Sequence, residues 1–123
     1  ETALNRFRVQ PPQPCDNDFL LQYIARNSLM PVDGGWTWKF DEDLLTSLTD
    51  AERKPEEFQA LTMTLGVIFG ADSELFSRRT LEYMQELIPE PFLIKEIANA
   101  QHHLFLDQPQ AFVESLLEMC QKF

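Results

Sequence analysis

Long apolar runs are missing from this 123-residue chain, and basic residues are few. No stretch approaches the roughly 20 consecutive apolar residues that a membrane-spanning helix needs, so no membrane span is expected. Lys and Arg number 10 against 20 Asp and Glu, for a net charge of −10. A chain this acidic repels a phosphate backbone and an anionic lipid surface alike, so neither nucleic acid nor membrane is an expected partner. Cysteine occurs twice, at Cys15 and Cys120, too few for a disulfide framework. Reduced thiols and a cytoplasmic location are the expectation, with Cys120 a small buried hydrophobe on an apolar helical face. No basic start followed by an apolar segment marks a signal peptide. Glu1 in place of Met leads to the expectation of a processed or truncated product.

What is present is globular in character. Apolar residues make up 44% and charged residues 24%, which argues against a disordered tail. Pro11, Pro12 and Pro14 keep residues 1–15 out of helix or central strand, predicting an extended lead-in. Asp16 or Asp18 can cap a helix over 16–29, with Phe19, Leu20, Tyr23, Ile24 and Leu29 as its apolar stripe and Pro31 and Gly34-Gly35 ending it. The following Gly35-Trp36-Thr37-Trp38-Lys39-Phe40 alternates aromatic and polar residues. That spacing puts three rings on one face of an extended stretch. Trp36, Trp38 and Phe40 form either a hydrophobic plug under a loop or the wall of a binding pocket. Short helices are expected around 41–47 and 55–61, broken by Pro55.

From residue 61 the pattern changes. The apolar run ending in Val67-Ile68-Phe69-Gly70 fits a strand buried on both faces, as in a parallel sheet covered by helices. Ser77 can cap a helix over 78–88, which Pro89 and Pro91 stop. Residues 92–98 form a second strand. Asp107 is expected to cap a last helix carrying Phe112, Val113, Leu116, Leu117 and Cys120 on its buried side, with Pro109 in its first turn. Strand, helix, strand, helix is the pattern of a parallel α/β sheet. Two such strands alone leave two unpaired edges and too small a core. The fold is therefore expected to be incomplete, its edge covered by a missing N-terminal half or by a second copy of the chain.

Two side chains carry the chemistry. Asp72 lies just past the end of the first strand and His102 just past the second, where functional residues of α/β sheets gather. Adjacent parallel strands run about 4.8 Å apart, so the loops after them can meet. An Asp that orients an imidazole, and a His that then serves as general base, fit that placement. The stretches Val67-Ile68-Phe69-Gly70-Ala71-Asp72 and Asn99-Ala100-Gln101-His102-His103-Leu104-Phe105-Leu106-Asp107-Gln108-Pro109 resemble the α/β-hydrolase family. The first is similar to its strand ending in the triad acid, the second to its catalytic-histidine loop and the start of its last helix. The acid precedes the histidine, as in that family, by 30 positions. The resemblance covers residues 61–123 well and 1–60 more loosely. There the helix and aromatic segment resemble the end of a lid and its return to the core. It implies an α/β fold made of the C-terminal portion of the parallel sheet, its last two strands with flanking helices. Residues 1–40 would be a lid remnant and 41–123 part of the core.

The departures from the family pattern are informative. Gln101 stands where the family usually has Gly before the histidine. No G-x-S-x-G elbow surrounds any of the five serines, Ser28, Ser47, Ser73, Ser77 and Ser115. The resemblance thus implies a segment of a serine hydrolase or esterase acting on a small acyl substrate, needing no cofactor and inactive alone. Trp36, Trp38 and Phe40 would line its acyl or leaving-group pocket. Within the same fold an Asp nucleophile would give a dehalogenase or epoxide hydrolase. A non-catalytic interaction module using the exposed strand edge is the reading from another class. At the site, His103 is an alternative base and Glu74 an alternative acid. A metal site built on His102 and His103 is disfavoured, because adjacent side chains diverge and no further Cys or His lies nearby.

Overall fold

The computed structural model describes residues 2–41, 43 and 54–123. The chain divides into two compact units, Glu1–Arg53 and Lys54–Phe123. The first unit opens with a short helix, α1 (Thr2–Arg6), inside the segment expected to be wholly extended. The proline-bearing stretch after it has no regular structure up to α2 (Asp18–Asn27). Asn17, and neither neighbouring Asp, caps α2: its Oδ1 accepts the Leu20 N–H at 3.1 Å. Helix α2 ends two residues earlier than expected, because Leu29 opens a strand. Of the expected apolar stripe Leu29 is buried, but Phe19 and Tyr23 are exposed, and Ala25, outside the stripe, is buried.

That strand, β1 (Leu29–Val32), forms an antiparallel hairpin with β2 (Gly35–Trp38). Leu29 pairs with Trp38 and Val32 with Gly35, leaving Asp33-Gly34 as a two-residue connection. Gly34 sits at φ 87, a value open to glycine at little cost. Pro31 is tolerated because each strand of a two-stranded ribbon has an unpaired side, where a missing N–H breaks nothing. Pro31, expected only to end the preceding helix, therefore lies inside a strand, β1, that the sequence pattern does not show.

The second unit begins with α3 (Pro55–Gln59). The helix expected around 41–47 falls almost wholly outside the described residues. Strand β3 (Gly66–Gly70) follows, then α4 (Arg78–Leu87) and β4 (Leu93–Ile97). β3 and β4 pair in parallel, Gly66 opposite Leu93 through Gly70 opposite Ile97. Ser77 caps α4 reciprocally: its Oγ accepts the Thr80 N–H at 3.3 Å, and Thr80 Oγ1 accepts the Ser77 N–H at 3.4 Å. A four-residue helix, α5 (Leu104–Asp107), and the longer α6 (Pro109–Cys120) complete the chain, with α6 lying on both strands.

Burial in this unit is thin. Phe69, Ile88, Ile97, Ala100, Leu106 and Met119 are its buried apolar residues, with Phe69 and Phe76 ring to ring at 5.1 Å. Positions 66–68 of β3 are only partly covered and 94–96 of β4 are exposed, so neither strand is buried on both faces as expected. Helix α6 turns Ser115 and Met119 inward and leaves Val113, Leu116, Leu117 and Cys120 exposed. The expected inner stripe is thus rotated outward. A helix over a two-stranded sheet has partners for only part of an apolar circumference this wide.

Candidate active site

The C-terminal ends of β3 and β4 bring the predicted acid and base segments together through the backbone. Gly70 closes β3, and residues 71 and 72 turn away from it. The Ala71 N–H donates to the Ile97 carbonyl at 2.9 Å, one step past the end of the ladder. The Asp72 N–H then donates to the Ala100 carbonyl, also at 2.9 Å. The acid's own peptide is therefore fastened to the loop that carries the histidine. The loop turns sharply at Asn99, whose φ of 55 is the left-handed conformation Asn tolerates better than most residues. Ala100 behind it is fully buried.

The side chains are less close than the backbones. Asp72 and His102 are both exposed, and among the described residues no hydrogen bond joins the Asp72 carboxylate to the His102 ring. The His102 ring instead meets His103 edge-on at 5.3 Å between centroids, and His103 meets Phe105 at 6.1 Å. Glu74 lies in the same turn region and is exposed. Among the described residues, no three His, Cys, Asp or Glu side chains converge as a metal-ligating group.

Asp107 does not cap α6. Gln108 holds the N-cap position, with no side-chain bond to the helix. The Asp107 carboxylate instead reaches back six residues, and its Oδ2 accepts the Gln101 N–H at 2.7 Å. Gln108 also reaches back, its Nε2 donating to the Asn99 carbonyl at 3.2 Å. Sequence reasoning missed both contacts. An Asp two residues before a Pro looks like a cap, and nothing in the linear pattern shows that a four-residue helix turns it inward.

The aromatic segment belongs to the other unit. Trp38 stands between Phe7 and Phe40, at 5.6 and 5.7 Å between ring centroids. Trp36 is exposed and, with Ala3, Leu4, Arg26 and Leu29, lines a cavity of about 180 Å³. Trp38 and Phe40 thus form one ring cluster, and Trp36 lines a separate small cavity.

A parallel strand pair with an acid turn and a histidine loop at its C-terminal ends, and a helix lying on both strands, has the fold of the C-terminal portion of an α/β-hydrolase. Two solved structures of that fold share it. One is E-2-(acetamidomethylene)succinate hydrolase, with a TM-score of 0.70 and 17% identity over 82% of this chain and 38% of that one. The other is a protein from Rickettsia typhi assigned as a hydrolase, with a TM-score of 0.60 and 18% identity over 84% of this chain and 36% of that one. The chain therefore spans well under half the length of either neighbour. No family model matches it, and no curated protein matches it in sequence. Among the described residues, no helix is long and apolar enough to cross a membrane.

Proposed function

We propose that this chain is the acid–histidine portion of an α/β-hydrolase that cleaves a small acyl ester or related bond, with its nucleophile supplied by sequence outside these 123 residues. The observation that supports this most directly is the 2.9 Å bond from the Asp72 N–H to the Ala100 carbonyl. It ties the turn bearing an acid to the loop bearing a histidine at the place where α/β sheets carry their chemistry. His102 takes the nucleophile's proton as it attacks the carbonyl, then returns a proton to the leaving group. Asp72 holds the imidazole in the productive tautomer and stabilises its protonated form. The missing side-chain bond is compatible with this role, since catalytic hydrogen bonds commonly tighten only in the substrate complex. Within the first unit, the cavity beside Trp36 is a surface that can hold an acyl or leaving group, while Trp38 and Phe40 pack into the ring cluster with Phe7. On this reading the chain alone does not turn over substrate.

The test is fluorophosphonate labelling of the full gene product, with the labelled peptide located by mass spectrometry. Label on a serine outside this chain, lost on His102→Ala, is the expected result. A well-folded protein that takes no label would point to an aspartate nucleophile, for which halide and epoxide turnover are the assays. The exposed aliphatic side of α6, Val113, Leu116 and Leu117, favours a second reading as a non-catalytic interaction module. Full activity and stability in His102→Ala would establish that reading and end the first.

A further inference from the structure

We infer that Asp107 is a positioning residue for His102, acting through the single peptide unit between Ala100 and Gln101. This rests on the reading of His102 as the base. Both polar ends of that peptide are held from outside the loop. Its carbonyl oxygen accepts the Asp72 N–H at 2.9 Å, and its N–H donates to Asp107 Oδ2 at 2.7 Å. A peptide pinned at both ends cannot rotate about its flanking bonds without breaking one of them. The direction in which the chain leaves toward His102, one residue on, is therefore fixed relative to the backbone of the acid. The third constraint is Gly70, which lies so close to the same peptide that any Cβ there would fall against the Ala100 carbonyl group.

Asp107 is well suited to this task. Leu106 beside it is 1% exposed, which anchors the end of α5 in the core. Pro109, the first residue of α6, follows two positions later. The bond to Gln101 is charge-assisted and short, the stronger kind of hydrogen bond. Gln108 adds its 3.2 Å bond to the Asn99 carbonyl, and the Leu106 N–H closes on the His103 carbonyl at 2.8 Å. The junction of α5 and α6 thus grips the histidine loop on both sides of His102. No atom of Asp107 need touch a substrate for it to set where the imidazole stands.

The experiment uses the full-length protein and four forms: wild type, Asp107→Ala, Asp107→Asn and His102→Ala. Misplacing a catalytic group by about 1 Å can lower a rate by roughly 100-fold. Asp107→Ala is expected to lower kcat by about 10- to 100-fold with KM within about twofold, and to speed exchange of the Gln101 amide hydrogen. Asp107→Asn keeps an oxygen acceptor in nearly the same place. It is expected to hold kcat within about threefold of wild type and to keep the amide protected. Wild-type kcat in Asp107→Ala, with His102→Ala inactive, would overturn the inference and leave the function standing. An Asp107→Asn protein as slow as Asp107→Ala, though folded, would overturn the hydrogen bond as its basis. If His102→Ala itself stays active, the functional reading has failed, and the inference falls with it even if Gln101 exchange confirms the bond.

Discussion

The two ends of β3 are both closed by neighbours that leave room only for glycine, but the neighbours differ in kind. At Gly66 a Cβ would fall against the Met119 sulfur, with Met119 Cγ and Phe123 Cζ each 3.1 Å away. These are the far ends of side chains on and just after α6, and they can shift. At Gly70 the Cβ would fall against the carbonyl oxygens of Ala100 and Gln101, with the Ala100 carbonyl carbon at 2.6 Å. This is backbone, held by the bonds from Asp72 and to Asp107. Adaptable side chains close one end of the strand and fixed peptide planes close the other. Adaptable side chains suffice where only volume must be filled, whereas fixed peptides are needed where two loops must meet in one arrangement. The acid and the histidine both emerge at the fixed end.

Substitutions can break this contrast. The largest effect belongs to the charge at the fixed end. Asp72→Asn keeps the backbone N–H, and so keeps the bond to Ala100, while removing the carboxylate. On the proposed function it is expected, in the full-length protein, to lower kcat by roughly 10⁴-fold with the urea midpoint unchanged. An equal fall in stability would mean that Asp72 serves the fold and not the chemistry. Gly70→Ala comes next. Its Cβ forces the Ala100 and Gln101 carbonyls away, an overpacking expected to cost about 3 kcal/mol by urea unfolding. Gly66→Ala asks that the Met119 and Phe123 side chains move aside, so about 1 kcal/mol is expected. Equal losses at the two glycines would abolish the distinction drawn between the ends of β3.

What the sequence could disclose follows the same division. β3, α4 and β4 were legible because apolar runs, a Ser cap and flanking prolines act over a few neighbouring residues. The placement of Asp72 and His102 beyond two parallel strands followed from element order, and the α/β-hydrolase fold implied by the resemblance of residues 67–72 and 99–109 to that family is the one observed. Asp107 was read as a cap because its contact lies six residues back, through a helix too short to show a period. Strand β1 was not legible because Pro31 signals a break in a strand as much as in a helix, against the hairpin signal of Asp33-Gly34. The outward face of α6 was not legible, because apolar periodicity marks a stripe without saying whether this chain contains anything to cover it.

The smallest expected effect sharpens the comparison from the adaptable side. Lys95 on β4 and Glu118 on α6 form an ion pair at 2.9 Å, next in sequence to the Met119 that covers Gly66. The hydrogen bond and charge of Lys95 hold the Glu118 carboxyl below its ordinary range, with Lys122 adding to the shift and slight desolvation opposing it. A carboxyl lowered in the folded state stabilises the fold above its unfolded pKa, and that stabilisation disappears as pH falls through the folded value. Both side chains are largely exposed, at 45% and 61%, so water and salt screen the pair. Glu118→Gln should therefore lower Tm only slightly at neutral pH and low salt. The difference from wild type should vanish once the pH lies below the folded pKa of Glu118, and also in about 1 M salt, where the screening length is about 3 Å. A loss comparable to that of Gly70→Ala would mean that α6 is fastened at the Gly66 end as firmly as the histidine loop is at the Gly70 end. The contrast between the two ends would then lie in which atoms make contact and not in how rigidly they are held.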